Sequence, residues 1–280
     1  MAERPMNILG RELAVLQQLW GLERIPFRDV PPTDPTELMR YFVGREVEME
    51  KAIPLLYDGR NILVRGIRSI GKTAFILAAL YRLQQDAQAR GAPVLPIHIA
   101  EFRGGEAEAF YRVVLYGLAR GMAPRSRRAR EILGALVGEE VVRGRKGAMK
   151  AGLGFHAFTA GEAEMAVELG GEAARTLRIG HPLYFLEELL GEARKKDWRV
   201  VVAIDDLDKI VDQKAVREML HDVLGLLRDE RCAFVLTGRP ITIFEDLDLM
   251  SLRVVSEIFS LQLLTREQLR EIAVRQLPAA

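Results

Sequence analysis

Gly66-Ile67-Arg68-Ser69-Ile70-Gly71-Lys72-Thr73 decides the fold of this 280-residue chain. The run fits G-x-x-x-x-G-K-[ST], a pattern with meaning only between a strand and a helix. Both flanks are in place. Residues 61–65 (NILVR) read as a short buried strand, and 73–89 as a long helix stopped by Gly91 and Pro93. The two glycines let the backbone curl so that successive N–H groups, on to Ala74, face phosphate oxygens. The helix start adds the positive end of its dipole. In that setting Lys72 reaches the β- and γ-phosphates and the Thr73 hydroxyl binds Mg²⁺.

Working outward, strand and helix patterns alternate. Strands are predicted over 94–100, 200–204, 233–237 and 258–263, and helices over 107–120, 182–196, 215–228 and 266–276. Such alternation implies an α/β fold of three layers, a parallel sheet with helices on both faces. A helix is expected over 46–57 and another over 9–20. Between them Pro26, Pro31, Pro32 and Pro35 break regular structure and give an extended lead-in within residues 1–40. The stretch from 120 to 180 is less regular. Its Gly- and Ala-rich part, 146–171, reads as an insertion.

The apolar run Val200-Val201-Val202-Ala203-Ile204 ends in Asp205-Asp206. A strand that delivers carboxylates at its C-terminal end suits a Mg²⁺ ligand, Asp205, and a base that orients the attacking water, Asp206. An Asp there also suits a helix N-cap, and Asp208 is read as such a cap or a partner contact. Thr237, at the tip of the strand 233–237, is a candidate sensor of the γ-phosphate or simply part of a strand-to-turn transition. Arg239 and Arg253 are placed where a cation approaches the γ-phosphate, within the subunit or from a neighbour; a solvated surface arginine reads equally well.

Composition narrows the rest. Forty Lys and Arg against 39 Asp and Glu, with 49% hydrophobic residues, exclude a disordered chain and a uniformly basic one. The single cysteine, Cys232, excludes a disulfide framework and multi-cysteine metal sites, and it reads as packing. The four histidines have no metal-ligand spacing. No apolar run nears the roughly 20 residues of a membrane span, and no secretory signal is visible, so a soluble, cytoplasmic protein is expected. The balance is uneven, however. Residues 118–150 carry nine basic residues against three acidic ones, with Arg125-Ser126-Arg127-Arg128-Ala129-Arg130 at their densest. That is a DNA footprint or a solvated or protein-docking helix face. It contains no aromatic residue on which bases could stack.

Tyr41-Phe42-Val43-Gly44-Arg45-Glu46, the glycine-rich loop, the Asp pair, Thr237-Gly238-Arg239 and the closing 260–269 (SLQLLTREQL) occur in one order. Together they resemble AAA+-type and STAND ATPases over about residues 41–277. The lead-in Gly21-Leu22-Glu23-Arg24-Ile25-Pro26-Phe27 is similar to the start of some bacterial DNA-transposition and secretion-associated ATPases of that clan. The resemblance implies a P-loop fold of the additional-strand class, with one strand between those carrying the loop and Asp205. It implies ATP and Mg²⁺ as ligands, with Phe42, Val43, Gly44 and Arg45 beside the adenine. It implies ATP-linked homo-oligomers, and either DNA or a partner protein or effector domain as client. Vigorous motors of the family carry Glu where Asp206 stands. The shorter side chain implies slow hydrolysis suited to a switch, as in STAND members. The core is expected over 41–264, and 265–280 as the start of a helical lid cut short at Ala280.

Overall fold

The computed structural model describes residues 31–32, 34–100, 102, 104–142, 179–207, 212–238 and 254–276. The predicted helix 9–20, the insertion 146–171, Asp208, Arg239 and Arg253 lie outside the described residues. The chain divides into two compact units, one of residues 1–44 and 264–280 and one of 45–263.

In the larger unit, helix α2 (Glu46–Tyr57) leads into strand β1 (Ile62–Arg65), and helix α3 (Lys72–Ala89) into β2 (Val94–Ile99). Helices α4 (Ala107–Met122), α5 (Arg127–Val142) and α6 (Pro182–Lys195) precede β3 (Arg199–Ile204). Helices α7 (Gln213–Asp222) and α8 (Leu224–Leu227) precede β4 (Cys232–Gly238), and β5 (Glu257–Ser260) closes the sheet. All pairings are parallel, in the order β2-β3-β4-β1-β5. β4 thus lies between the loop-bearing β1 and the Asp-bearing β3, the additional strand that the resemblance implies. Strands covered on both faces need continuous apolar runs, and every residue of β4 and all but the first of β3 are buried. Alternation sorts their side chains. Leu63, Ile97, Ile99, Val202, Phe234 and Leu236 join one core with Phe110, Leu115, Leu133 and Leu189.

One buried polar residue closes the lower end of the sheet. Asn61 Nδ2 donates to Val254 O at 2.8 Å and to Leu227 O, while its Oδ1 accepts from Phe234 N at 2.7 Å. Those bonds tie the residue before β1 to β4, to the end of α8 and to the segment leading into β5.

In the smaller unit the structure departs from the extended lead-in. Helix α1 (Pro35–Tyr41) forms there because Asp34 caps it, accepting from Glu37 N at 2.7 Å, and because Pro35 occupies the first turn. Proline is tolerated at that point, where its missing N–H has no helical partner to lose. Helix α9 (Arg266–Gln276) opens with a reciprocal cap: Thr265 N donates to Gln268 Oε1 at 2.8 Å and Gln268 N to Thr265 Oγ1 at 3.2 Å.

Candidate functional site

β1 hands the chain to a loop that only particular residues can make. A Cβ on Gly66 would lie 2.7 Å from Ile70 Cγ2, so the turn closes only around a glycine. Gly71 has φ +96°, and Ser69 shares the left-handed region at φ 63°. A non-glycine residue held there signals strain maintained by its surroundings. The loop ends at α3, whose first residue, Lys72, is 6% exposed. Its ammonium donates to Gly66 O at 3.0 Å and Ile67 O at 3.2 Å. The charge therefore sits inside the loop. Ile67, Arg68 and Ser69 are exposed, while Ile70 and Ala74 are half-buried.

Register brings the acids to this loop. Thr237 pairs with Val64, one residue before Arg65, and Ile204 pairs with Leu236, so Asp205 emerges beside Thr237 and above β1. Thr73 Oγ1 donates to Asp205 Oδ2 at 2.6 Å, and Thr237 Oγ1 donates to Asp205 Oδ1 at 2.5 Å. Asp205 is 1% exposed. Burial pushes its carboxyl up, but His98, Thr237 and Thr73 outweigh that and hold it below the usual carboxylate range. The carboxylate is thus ionised and shares an edge with the Thr73 hydroxyl. That hard oxygen pair suits Mg²⁺, which accepts one or two protein oxygens and keeps waters and phosphate for the rest.

Asp206 is held differently. Its φ is 54°, and its N–H donates to Asp205 Oδ1 at 3.0 Å and Thr237 Oγ1 at 2.9 Å. Asp tolerates the left-handed region better than most residues, and these two acceptors fix it there. The side chain is half-buried, at the carboxyl ends of the strands. Ligands of open parallel sheets bind outside those ends.

Thr237 and His98 carry more than the sequence suggested. The Thr237 hydroxyl bridges both acids. His98, read as an ordinary strand residue, is 1% exposed with Nε2 3.9 Å from Asp205 Oδ2. The parallel pairing of β2 with β3 places it, and a signal at 107 residues' separation is not visible in spacing. Arg45, expected beside the adenine, is 6% exposed. It donates to Ile70 O at 3.4 Å and to Gln262 O, and it pairs with Glu48 at 3.5 Å. Its cation braces the loop from behind. Phe42, Val43 and Gly44 belong to the smaller unit, where Gly44 takes φ +77°. Arg239 and Arg253 lie outside the described residues. Cys232 is buried, which pushes its thiol up and leaves it a packing group.

In the basic segment Arg127 and Arg128 have carboxylate partners. Arg127 meets Glu131 at 3.1 Å, Arg128 makes a two-pronged pair with Glu188 at 2.8 and 3.0 Å, and Arg130 donates to Ala123 O at 2.8 Å. Among the described residues no group of acids, His and Cys forms a metal cluster, and no helix is long and apolar enough to cross a membrane.

Comparison with solved structures places this geometry. The Aeropyrum pernix ORC1 protein in complex with DNA superimposes with a TM-score of 0.50 at 15% identity, over 87% of this chain and 52% of that one. The Aeropyrum pernix ORC2 protein, in its ADPNP–ADP complexes, gives 0.51 at 14% identity, over 91% and 55%. The chain has an AAA+-like P-loop fold. It spans about half the length of these two structures. Comparison with protein-family models gave no match, and neither did comparison with curated protein sequences.

Proposed function

We propose that the chain binds ATP with Mg²⁺ and hydrolyses it slowly, as a nucleotide-dependent assembly switch. One observation carries the reading: Lys72, Thr73, Asp205 and Thr237 converge at the carboxyl end of the sheet. The backbone of 66–73 and the Lys72 ammonium hold the phosphates, the ammonium exchanging the carbonyls of Gly66 and Ile67 for phosphate oxygens. Thr73 and Asp205 would hold Mg²⁺, which when bound neutralises charge developing on the β- and γ-oxygens. Asp206 orients the attacking water, and its short side chain favours a low rate. Thr237 keeps both acids in register, and Arg239 and Arg253 are the candidate cations for the γ-phosphate.

Phosphate release by the wild type and by Asp206→Asn tests the proposal. The variant should still bind ATP while its turnover falls by about 10²-fold or more, the scale of a lost general base. Equal rates would reject Asp206, and no turnover by the wild type would leave a nucleotide-binding scaffold instead. For the client, DNA is favoured by the solved ORC1 neighbour, whose structure is a DNA complex. The paired acids Asp205-Asp206 favour a STAND-like signalling ATPase with a protein effector. ATP-dependent self-association, followed by light scattering, applies to either.

A further inference from the structure

At the end of the sheet opposite the loop, where the strands begin, the fold gathers cations that the sequence scatters. Tyr57 ends α2, Arg90 caps α3, Lys196 caps α6, Trp198 precedes β3 and Arg199 opens it. The Arg90 and Arg199 guanidinium carbons each lie 5.2 Å from the Tyr57 ring centre. Arg125 lies 5.8 Å and the Lys196 ammonium 5.0 Å from the Trp198 ring centre. The two groups are continuous, because Trp198 precedes Arg199 and Lys196 Nζ donates to Arg125 O at 3.0 Å. Arg90, Arg125 and Arg199 are exposed.

We propose that Arg90, Arg125 and Arg199 form a docking surface for the phosphate backbone of DNA. Lys196 pairs with Glu192 at 2.7 Å, and Arg127 and Arg128 with Glu131 and Glu188. Arg90, Arg125 and Arg199, by contrast, have no carboxylate partner among the described residues. A guanidinium lying over an aromatic ring keeps its in-plane N–H donors outward and already ordered, so less freedom is lost when a phosphate arrives. Helix dipoles explain only part of the placement. Arg90 follows the C-terminus of α3, where a cation is favoured, but Arg125 precedes the N-terminus of α5, where it is not, and Arg199 begins a strand. With β3 six residues long, at about 3.3 Å each, this surface stands roughly 20 Å from Asp205, so DNA and nucleotide need not compete.

The test is a titration of a short fluorescent DNA duplex without nucleotide, from about 50 to 200 mM salt. Three phosphate contacts contribute about 2.7 to the slope of log affinity against log salt, at roughly 0.9 each. Changing Arg90, Arg125 and Arg199 together to Gln should lower the slope by that amount. Across the salt range the wild type then loses about 40-fold more affinity than the variant. Changing the three to Lys should keep the slope, which separates lost charge from lost folding. Arg127, Arg128 and Arg130 to Gln should leave it in place. No binding by the wild type at low salt, or an unchanged slope in the first Gln variant, overturns the proposal. Neither outcome bears on ATP binding, which is measured separately.

Discussion

Thr237→Val removes one oxygen from a fully buried site and isolates what that oxygen does. The Thr237 hydroxyl donates to Asp205 Oδ1 at 2.5 Å and accepts from Asp206 N at 2.9 Å. A hydrogen bond to a charged group contributes about 1.5–3 kcal/mol and a neutral one about 1 kcal/mol. Asp206 N keeps its bond to Asp205 Oδ1, so part of the second term survives. The expected loss is about 2–4 kcal/mol near neutral pH, read from urea unfolding with an unchanged m-value. A pH series gives a second signature. Asp205 titrates below its ordinary range in the folded state, so its contribution is present above the unfolded carboxylate value, about 3.9, and is lost as pH falls through the folded value. Without the Thr237 donor the folded value rises toward 3.9. The gap between variant and wild type should therefore narrow below about pH 4. Thr237→Ser, which keeps the hydroxyl, should restore most of the stability. A loss under about 0.5 kcal/mol, or a gap independent of pH, would refute this role.

Asn61→Ala leaves Phe234 N, Leu227 O and Val254 O without their side-chain partner in a buried setting. At about 1–3 kcal/mol per unsatisfied group, a loss of about 3 kcal/mol or more is expected in equilibrium unfolding. Gly66→Ala drives a methyl to 2.7 Å from Ile70 Cγ2, so it should cost about 1–3 kcal/mol and weaken ATP binding in the same samples. Gly71→Ala meets no neighbour and carries only the strain of φ +96°, about 1–2 kcal/mol by thermal melting.

Local pattern made the loop, the two-sided strands and the Asp-bearing strand legible, because each depends on residues within one turn or one strand. The place of β4 between β1 and β3 came from the resemblance, because pattern alone gives a parallel sheet and not its strand order. What stayed hidden rests on pairs far apart in the chain. Arg128 meets Glu188 across 60 residues, a pairing that the dense run 125–130 does not reveal. His98 reaches Asp205 only through the β2–β3 register. Asn61 reads only as the start of the strand 61–65, yet its amide reaches Phe234, Leu227 and Val254. Helix α1 was masked by a proline count that ignored position, since Pro35 stands where a helix accepts it. The left-handed Asp206 is held by its neighbour Asp205 and by Thr237 on β4, and the second of these is 31 residues away.

Calorimetric titration of the chain with Mg·ATP tests the central claim most directly, with Lys72→Ala as the control. Among the described residues Lys72 bonds only the carbonyls of Gly66 and Ile67, so the variant should melt close to the wild type. Saturable binding by the wild type should weaken by at least about 10²-fold in the variant, a loss of about 2.7 kcal/mol. Wild-type protein that releases no binding heat at any Mg·ATP concentration, or a Lys72→Ala variant that binds equally well, would contradict it.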